Sequence, residues 1–328
     1  MTLPRRHLPP LGLAGAAAAM RPAAAQRAPT GFRSRPIRIV VPYAPGGGTD
    51  LTTRLLAEAI RPTLGQPLVV EARPGANGVI GSEAVARSEP DGHSLVAVTS
   101  GHVLNKYTMP GIPFDPVKDF SAVPLMTRFA LVLVGGMTTP FQDMRGALDY
   151  ARANPGALTV GSTTALGSLT AQEFARAAGI TITEVPYRGG GAMMLEILNG
   201  TIATGFTSPQ SALPHLNSGR MRILGVTSQA RAVQLPEVPT IAESGVPGFE
   251  STSWFGLLGP AGLPPAIARQ IHGAIAEAMR DPGVRARAIE LGCDGVVEGP
   301  ENFAAIIRAD DARWAKAARE GLLQPVGR

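Results

Sequence analysis

The chain has 328 residues, of which 45% are hydrophobic, 17% charged and 5% aromatic, and its formal net charge is +5. A chain of this length can bury a large core, and its length favours two lobes over one. Its basic residues are dispersed and form no stripe interleaved with aromatic residues, which argues against nucleic-acid binding. The single cysteine, Cys293, excludes an internal disulfide.

The N-terminal residues have the pattern of an export signal. Arg5 and Arg6 precede an apolar stretch from Leu8 to Met20, and three alanines ending at Ala25 offer a cleavage site. We predict that residues 1–25 are removed, which takes away three arginines and no acidic residue and lowers the net charge from +5 to +2. A general secretory signal is favoured, and a twin-arginine signal stays open. Because no later segment reaches the 18 apolar residues of a membrane span, the sequence predicts a periplasmic protein.

The first predicted strand leads directly into a glycine-rich loop. Ile37–Val41 is nearly continuous in β-branched residues, which is typical of a parallel strand covered on both faces. Tyr43–Asp50 follows with three consecutive glycines, and helical spacing of apolar residues then continues from Leu51 to Leu64. Glycines expose backbone N–H groups, and a helix start carries a partial positive charge. The pattern therefore predicts an anion-binding loop, with Thr49 and Asp50 available to cap the helix.

The remaining predicted elements alternate in two series. Such alternation indicates parallel sheets with right-handed crossovers. In chain order they are strand Leu68–Glu71, helix Ile80–Ala86, strands Leu95–Val98 and Phe129–Val134, helix Ala147–Ala153, strand Leu158–Gly161, helix Ser168–Ala178, strand Ile182–Val185, helix Met193–Leu198, strands Ile202–Phe206, Arg222–Val226 and Trp254–Leu258, and helices Ile267–Met279 and Glu301–Ala318.

The sequence thus predicts an α/β protein of two similar lobes, each a mostly parallel sheet flanked by helices. We expect the C-terminal part to return to the first lobe, which would contain residues 33–134 and 256–328, with residues 135–255 in the second lobe. Two crossing strands, at about Val132–Gly135 and Phe255–Leu258, would then form a hinge. A ligand would be enclosed between the lobes.

Small hydroxylated or glycine-rich segments end several predicted strands. Hydroxyls and backbone N–H groups at such positions can bind carboxylate oxygens, although each segment alone could equally serve as a turn or cap. We take their recurrence to indicate one shared cleft. The candidate ligand-binding residues are Tyr43, Ala44, Pro45, Gly46, Gly47, Gly48, Thr49, Asp50, Thr99, Ser100, Gly101, His102, Ser162, Thr163, Thr164, Gly167, Ser168, Tyr187, Arg188 and Thr207.

Three of these candidates have ordinary structural alternatives. Arg188 could pair with an acidic ligand or lie on the surface. His102 could donate to a ligand or be a packed histidine. Asp50 would repel an anion, so orienting the glycine loop or capping its helix is the favoured role.

Enzyme signatures are largely absent from the chain. The P-loop, HExxH, CxxC and GxSxG patterns do not occur, and none of the three lysines lies beside a glycine-rich loop. The five histidines have no metal-ligand spacing. The sequence therefore predicts no catalytic site, no metal and no cofactor, although a site assembled from distant residues stays open.

Several sequence blocks in the same order resemble one family, the Bug or tripartite tricarboxylate transporter periplasmic substrate-binding receptors. The resemblance covers nearly the whole chain after the signal. The blocks are Arg35–Asp50, Glu71–Gly81, Pro90–His93, Phe114–Phe120, Val185–Gly189, Ser211–His215 and Leu235–Thr240.

The resemblance implies a two-lobed Venus-flytrap receptor, expected to be a monomer, that closes around a small carboxylate and delivers it to a membrane permease. Loops of both lobes, here Tyr43–Asp50 and Gly161–Ser168, would bind the carboxylate, with Thr99–His102 beside them. Two departures matter. The second loop differs from the Gly-Ser-Ser-Gly-like loop common in the family, and Thr207 stands where many relatives have Asp, which implies a ligand without a charged amine.

Two other function classes remain open on the sequence. A receptor of this kind could present its ligand to a signalling protein instead of a permease. A hydrolase or isomerase could also be built on the same scaffold.

Overall fold

The computed structural model describes Phe32, residues 35–216, 219–232, 234–293 and 297–321, and Leu323. The predicted export signal, residues 1–25, lies outside the described residues. Within them, no helix is both long and apolar enough to cross a membrane.

The first part of the chain alternates strands and helices, as predicted as far as Thr99. Its elements are β1 (Ile37–Val41), α1 (Gly48–Leu64), β2 (Leu68–Ala72), α2 (Val79–Ala86), β3 (Ser94–Thr99), α3 (Gly101–Thr108) and β4 (Phe120–Ala130). The α1 helix buries its apolar face, including Leu56, Ile60 and Leu64, and ends at Gly65, which adopts the left-handed conformation.

The second series begins immediately after β4. Its elements are β5 (Val132–Gly136), α4 (Met144–Ala153), β6 (Leu158–Ser162), α5 (Ala165–Ala178), β7 (Ile182–Pro186), α6 (Gly190–Leu198), β8 (Thr204–Thr207), α7 (Pro209–Leu216) and β9 (Met221–Val226). The chain then continues with β10 (Thr252–Pro260), α8 (Pro265–Ala278), α9 (Pro282–Glu290) and α10 (Pro300–Arg319).

The described residues form two five-stranded sheets with the same plan. The first has the order β2-β1-β3-β10-β4 and the second the order β7-β6-β8-β5-β9. In each sheet three neighbouring strands are parallel, and the fourth is antiparallel to both of its neighbours. Helices flank both sheets, so the predicted two-lobed, mostly parallel α/β fold is confirmed, with an antiparallel strand in each sheet that makes the sheets mixed.

The chain crosses between the sheets at two places that differ from the predicted ones. The segments Val132–Gly135 and Phe255–Leu258, expected to cross, each lie inside one sheet. The crossings precede them, at Leu131 and in the stretch between β9 and β10. Each crossing leaves from the fifth strand of one sheet and enters the other sheet as its antiparallel fourth strand.

One apolar run therefore spans two strands of different sheets. Phe129–Val134 was expected to be a single strand, but Phe129 ends β4 and Val132 starts β5, with Leu131 between them. Hydrophobicity stays high across the break because both strands are buried, so the pattern could not reveal it. Four elements, β4 over most of its length and helices α3, α7 and α9, had no prediction.

The two crossings are joined by hydrogen bonds at a buried threonine. The Thr227 backbone N–H donates to the Leu131 carbonyl at 2.9 Å, and its hydroxyl contacts the carbonyls of Leu131, at 3.0 Å, and Ser251. The Ser251 N–H donates in turn to the Thr227 carbonyl at 2.8 Å. Thr227 is fully buried. The connection between the lobes is thus a compact, hydrogen-bonded unit.

The hydroxyl of Thr227 is expected to stabilise this unit. In Thr227→Val the shape is kept and the hydroxyl is lost, so buried carbonyl groups lose a partner and the free energy of unfolding should fall by about 1–2 kcal/mol. Urea unfolding measures the change. Thr227→Ser, which retains the hydroxyl, is the control; if the valine variant unfolds at the wild-type urea concentration, the hydroxyl does not stabilise the connection.

Candidate functional site

The carboxyl ends of the six parallel strands face one cleft of ≈ 810 Å³ between the two sheets. Residues at or just after the ends of β1, β2 and β3 line it from the first sheet, and residues at or just after the ends of β6, β7 and β8 line it from the second. This is the edge at which ligands bind in open α/β sheets. The cleft volume lies within the range of about 300–1,000 Å³ that is usual for small-molecule sites.

Several helices begin at this cleft. Among the described residues, the N-termini of α1, α2, α3, α5, α6 and α7 border it through residues at or just before the helix start. These residues are Gly48, Gly78, Thr99, Thr164, Gly189 and Ser208. A helix N-terminus carries unpaired N–H donors and about half a positive charge, so their convergence makes the cleft attractive to an anion.

The glycine loop after β1 is held by an acid that does not face the ligand space. Asp50 is buried in the first turn of α1, accepts a hydrogen bond from the Gly46 N–H at 3.0 Å and pairs with Arg54 at 2.9 Å. Its role in orienting the loop agrees with the structural alternative. The helix starts at Gly48 with Gly47 as its N-cap, and no side chain caps it.

The first residue of α1 contacts the other lobe directly. The Gly48 N–H donates to Ser211 Oγ of α7 at 2.9 Å, and this bond is buried. A Cβ at position 48 would overlap Ser208 Oγ and lie 2.9 Å from Phe255 Cζ. Only glycine fits this position, because α1 and α7 approach each other through backbone and small side chains.

A hydroxyl pair lines the cleft between β1 and β3. Tyr43 Oη lies 3.4 Å from Thr99 Oγ1 and accepts from the Thr99 N–H at 3.3 Å. The Gly101 N–H donates to Thr99 Oγ1 at 3.1 Å. Burial raises the pKa of Tyr43, and its hydrogen bonds with Thr99 oppose that rise. Tyr43 is therefore a neutral phenol at physiological pH.

The opposing loop comes from β6 and α5 of the second lobe. Thr164 is the N-cap of α5 and accepts from the Gly167 N–H at 3.1 Å, and both residues line the cleft together with Thr163. Ser162 does not line it. Its hydroxyl donates instead to Glu184 Oε1 at 2.7 Å.

Arg188 is the single residue with a charged side chain among the described residues that line the cleft. It is exposed, and no carboxylate of the described residues forms an ion pair with it. Its neighbour Gly189 has φ +143° and lies so close to the first lobe that a Cβ would be 2.5 Å from Ala44 Cβ. Arg188 thus sits on a loop that touches the glycine loop across the cleft.

The floor of the cleft is apolar and is formed by the crossing strands. Phe129 at the end of β4, Leu131 in the crossing and Phe255 on β10 line it. The rings of Phe129 and Phe255 are tilted against each other with centroids 4.4 Å apart. A ligand in the cleft would therefore contact the hinge itself.

The cleft collects eleven of the twenty predicted site residues and leaves nine outside its lining. Those that line it are Tyr43, Ala44, Gly48, Thr49, Thr99, Thr163, Thr164, Gly167, Tyr187, Arg188 and Thr207. Those that do not are Pro45, Gly46, Gly47, Asp50, Ser100, Gly101, His102, Ser162 and Ser168. Several of the second group support the first, as Gly46 and Asp50 do for the glycine loop.

Residues without a site prediction complete the lining. The turn Pro74–Gly78 after β2 belongs to it, as do Met109 and the serines Ser211 and Ser253. The rule that strand ends meet at one edge could have found the turn. Sequence spacing alone could not find Ser253, because it lies near the start of an antiparallel strand that arrives from the other lobe.

His102 packs in an aromatic cluster behind the cleft. It is 2% exposed, its ring lies 5.7 Å from Phe114 and 4.8 Å from Phe120, and its Nδ1 is 3.3 Å from Ser82 Oγ. Burial lowers its pKa to about 4, and the Pro116 backbone only partly opposes the shift. His102 is thus a neutral, packed histidine in the structure.

Two lobes joined by two crossings, with a cleft bordered by helix N-termini, define the class of periplasmic solute-binding proteins. The family model described as "Tripartite tricarboxylate transporter family receptor" matches residues 52–321, and the chain belongs to this family. The chain is also 33% identical to the protein BugT of Bordetella pertussis over 294 residues, covering 88% of this chain and 90% of BugT. The members and fold neighbours are periplasmic solute-binding proteins and not enzymes.

Two solved structures of similar proteins carry small carboxylates. A protein of R. palustris with adipate is 30% identical, has a TM-score of 0.83, and its match covers 89% of this chain and 99% of that chain. MatC from Rhodopseudomonas palustris with bound malate is 28% identical, with a TM-score of 0.79 and coverage of 87% and 99%.

The buried histidine predicts a pH-dependent stability. The pKa of His102 is about 4 in the folded protein and about 6.5 in the unfolded chain, so protonation favours the unfolded chain. The free energy of unfolding is therefore unaffected by this group above pH 6.5 and falls by up to about 3 kcal/mol as the pH decreases toward 4. The variant His102→Asn should flatten this part of the curve of unfolding free energy against pH, measured by urea unfolding. Equal slopes for the two proteins would contradict the assignment.

Proposed function

We propose that this protein captures a small organic carboxylate by closure of its two lobes and delivers it to the membrane permease of a tripartite transporter. The solute-binding role follows from the family, whereas the ligand class, the closure and the permease are parts of the proposal. We further propose that the protein is exported, with its signal removed near Ala25, and acts as a monomer.

The main observation in favour of a carboxylate ligand is the distribution of charge around the cleft. Helix N-termini from both lobes border the cleft. Among the described residues that line it, Arg188 is the single one with a charged side chain, and none is acidic. Backbone N–H donors and an unpaired guanidinium are suited to a carboxylate. The malate and adipate carried by two similar proteins support the same class.

The same charge distribution disfavours a ligand with a charged amine. Thr207 lines the cleft and is buried, and no carboxylate among the described lining residues could pair with an ammonium group. An unpaired charge transferred from water into a closed cleft carries a large desolvation cost. Amino acids are therefore expected to bind more weakly than carboxylic acids of similar size.

Contacts that span the cleft support the proposed closure. Ala44 and Gly48 of the first lobe touch Gly189 and Ser211 of the second lobe. A carboxylate at the start of α1 would contact both sides only when the lobes are close, so binding favours the closed state. Micromolar affinity corresponds to about 8 kcal/mol, which several charge-assisted hydrogen bonds can supply.

Delivery to a permease and presentation to a signalling protein differ in their consequence for the cell. Uptake of the radiolabelled ligand by cells that lack this receptor should be low and should be restored by the wild-type protein. Normal uptake in its absence, together with loss of a ligand-dependent transcriptional response, would favour the sensory alternative.

The start of α1 provides a matched pair of variants for ligand binding. In Gly48→Ala the methyl group would collide with Ser208 and Phe255, so the α1 N-terminus and α7 cannot keep their spacing. Gly47→Ala is the control, because position 47 has φ −76° and its Cβ would lie 3.5 Å from the nearest atom. We expect affinity for the tightest ligand of a panel of malate, adipate and benzoate to fall by about tenfold or more in Gly48→Ala only.

Calorimetry measures the affinities, and thermal unfolding checks that both variants fold. Equal affinity of the two variants would show that the start of α1 does not hold the ligand. If no carboxylate binds to the folded, ligand-free wild-type protein, the proposed ligand class is wrong.

A second pair of glycines tests the closure. Gly189→Ala places a methyl group against Ala44 at a position with φ +143°, whereas Gly191→Ala, in the first turn of α6, meets no atom within 4 Å. Small-angle scattering should show that ligand reduces the radius of gyration of the wild-type protein and of Gly191→Ala. The reduction should be smaller in Gly189→Ala. An unchanged radius in the wild-type protein with bound ligand would contradict closure.

A further inference from the structure

Six of the ten hydroxyl groups on the described residues that line the cleft are hydrogen-bonded to other protein atoms. Tyr43 and Thr99 bond to each other, and Thr164 accepts from the Gly167 N–H. Ser253 Oγ lies 2.9 Å from Ser100 Oγ, outside the lining.

Ser208, which precedes α7, and Ser211, which lies in its first turn, show the same behaviour. Ser208 Oγ lies 3.3 Å from Ser211 Oγ, which also accepts from the Gly48 N–H. Because these six hydroxyls already bond to other protein atoms, the hydroxyls left to solvate polar groups on a ligand are those of Thr49, Thr163, Tyr187 and Thr207, among the described lining residues. Each additional hydroxyl or carboxylate group on a ligand would compete for this small set of partners.

The apolar floor lies directly beside the anion-binding helix start. Phe255 Cζ would be 2.9 Å from a Cβ on Gly48, so the Phe255 ring is next to the first N–H groups of α1. Phe129 packs on that ring, and Leu131 continues the apolar surface. The atoms that adjoin a carboxylate held at α1 would therefore contact aromatic and aliphatic side chains.

The available positive charge matches one carboxylate better than two or three. Arg188 is the single cation among the described lining residues, and it is exposed on the β7–α6 loop. A second buried carboxylate would lack a charged partner, and an unpaired buried charge is costly.

We infer that the ligand is an aromatic monocarboxylate, with its carboxylate at the start of α1 and its ring on the floor of Phe129, Leu131 and Phe255. This inference rests on the proposed carboxylate-binding function and names the ligand class of the same cleft. The ring would gain from aromatic packing and from burial of its apolar surface. Malate and adipate, which two similar proteins carry, would bind more weakly here.

Calorimetry with four probes tests the inference on the purified, ligand-free protein. Benzoate carries the proposed chemistry, cyclohexanecarboxylate replaces its flat ring by a saturated one, and malate and adipate add polar or charged groups. We expect benzoate to bind about tenfold or more tighter than malate and adipate, and tighter than cyclohexanecarboxylate. Its binding should also have a negative heat-capacity change, the marker of apolar burial.

A substitution in the apolar floor tests whether a change in benzoate affinity comes from lost contact with the ring or from a general loss of stability. Phe129→Leu should weaken benzoate binding by about tenfold and weaken malate binding by a smaller factor. Phe141→Leu is the matched control, since Phe141 is buried beside Tyr150 and does not line the cleft. It should leave the affinity for benzoate unchanged.

The outcomes distinguish a failure of the aromatic ligand class from a failure of the proposed carboxylate-binding function. If malate or adipate binds as tightly as benzoate, the aromatic class is wrong and the carboxylate receptor stands. If Phe129→Leu and Phe141→Leu have the same benzoate affinity, the floor does not hold the ring. If none of the four acids binds to folded protein, the proposed carboxylate function fails as well.

Discussion

The site depends on the parallel direction of three neighbouring strands in each sheet. Parallel strands end at the same edge, and the helix that follows each one must begin there. The chain repeats this arrangement in two lobes, so helix N-termini from both sheets border one cleft. We therefore expect the cleft to attract an anion although only one of its described lining residues has a charged side chain, because the backbone N–H groups at helix starts carry partial positive charge.

The antiparallel fourth strand of each sheet places the connections between the lobes next to the site. Each arrives from the other sheet, so the crossings lie beside the cleft at Leu131 and before β10. Thr227 and Ser251 join these crossings by hydrogen bonds. A ligand on Phe129 and Phe255 would rest on the connection between the lobes, which gives a short physical path from binding to closure.

The sequence predicted the elements best where local signals were strong. The β-branched run Ile37–Val41 and the helix that ends at Gly65 were both found, because pleat, helical period and a left-handed glycine are local properties. The run Phe129–Val134 was misassigned because two buried strands of different sheets have the same composition. Helix α7, whose interior contains Pro214, was not predicted although its residue Ser211 lines the cleft.

The sequence by itself determined the fold class, the family and the glycine-rich loop between β1 and α1, because these rest on periodicity, glycine content and motif order along the chain. Only the tertiary structure decided which side chains face the cleft. The side chain of His102 packs in an aromatic cluster, and that of Asp50 bonds to the glycine loop. Ser211 contacts Gly48, from which it is 163 residues away in the sequence. The physical reason is that a side chain's direction depends on the partners packed against its element, and those partners come from distant segments.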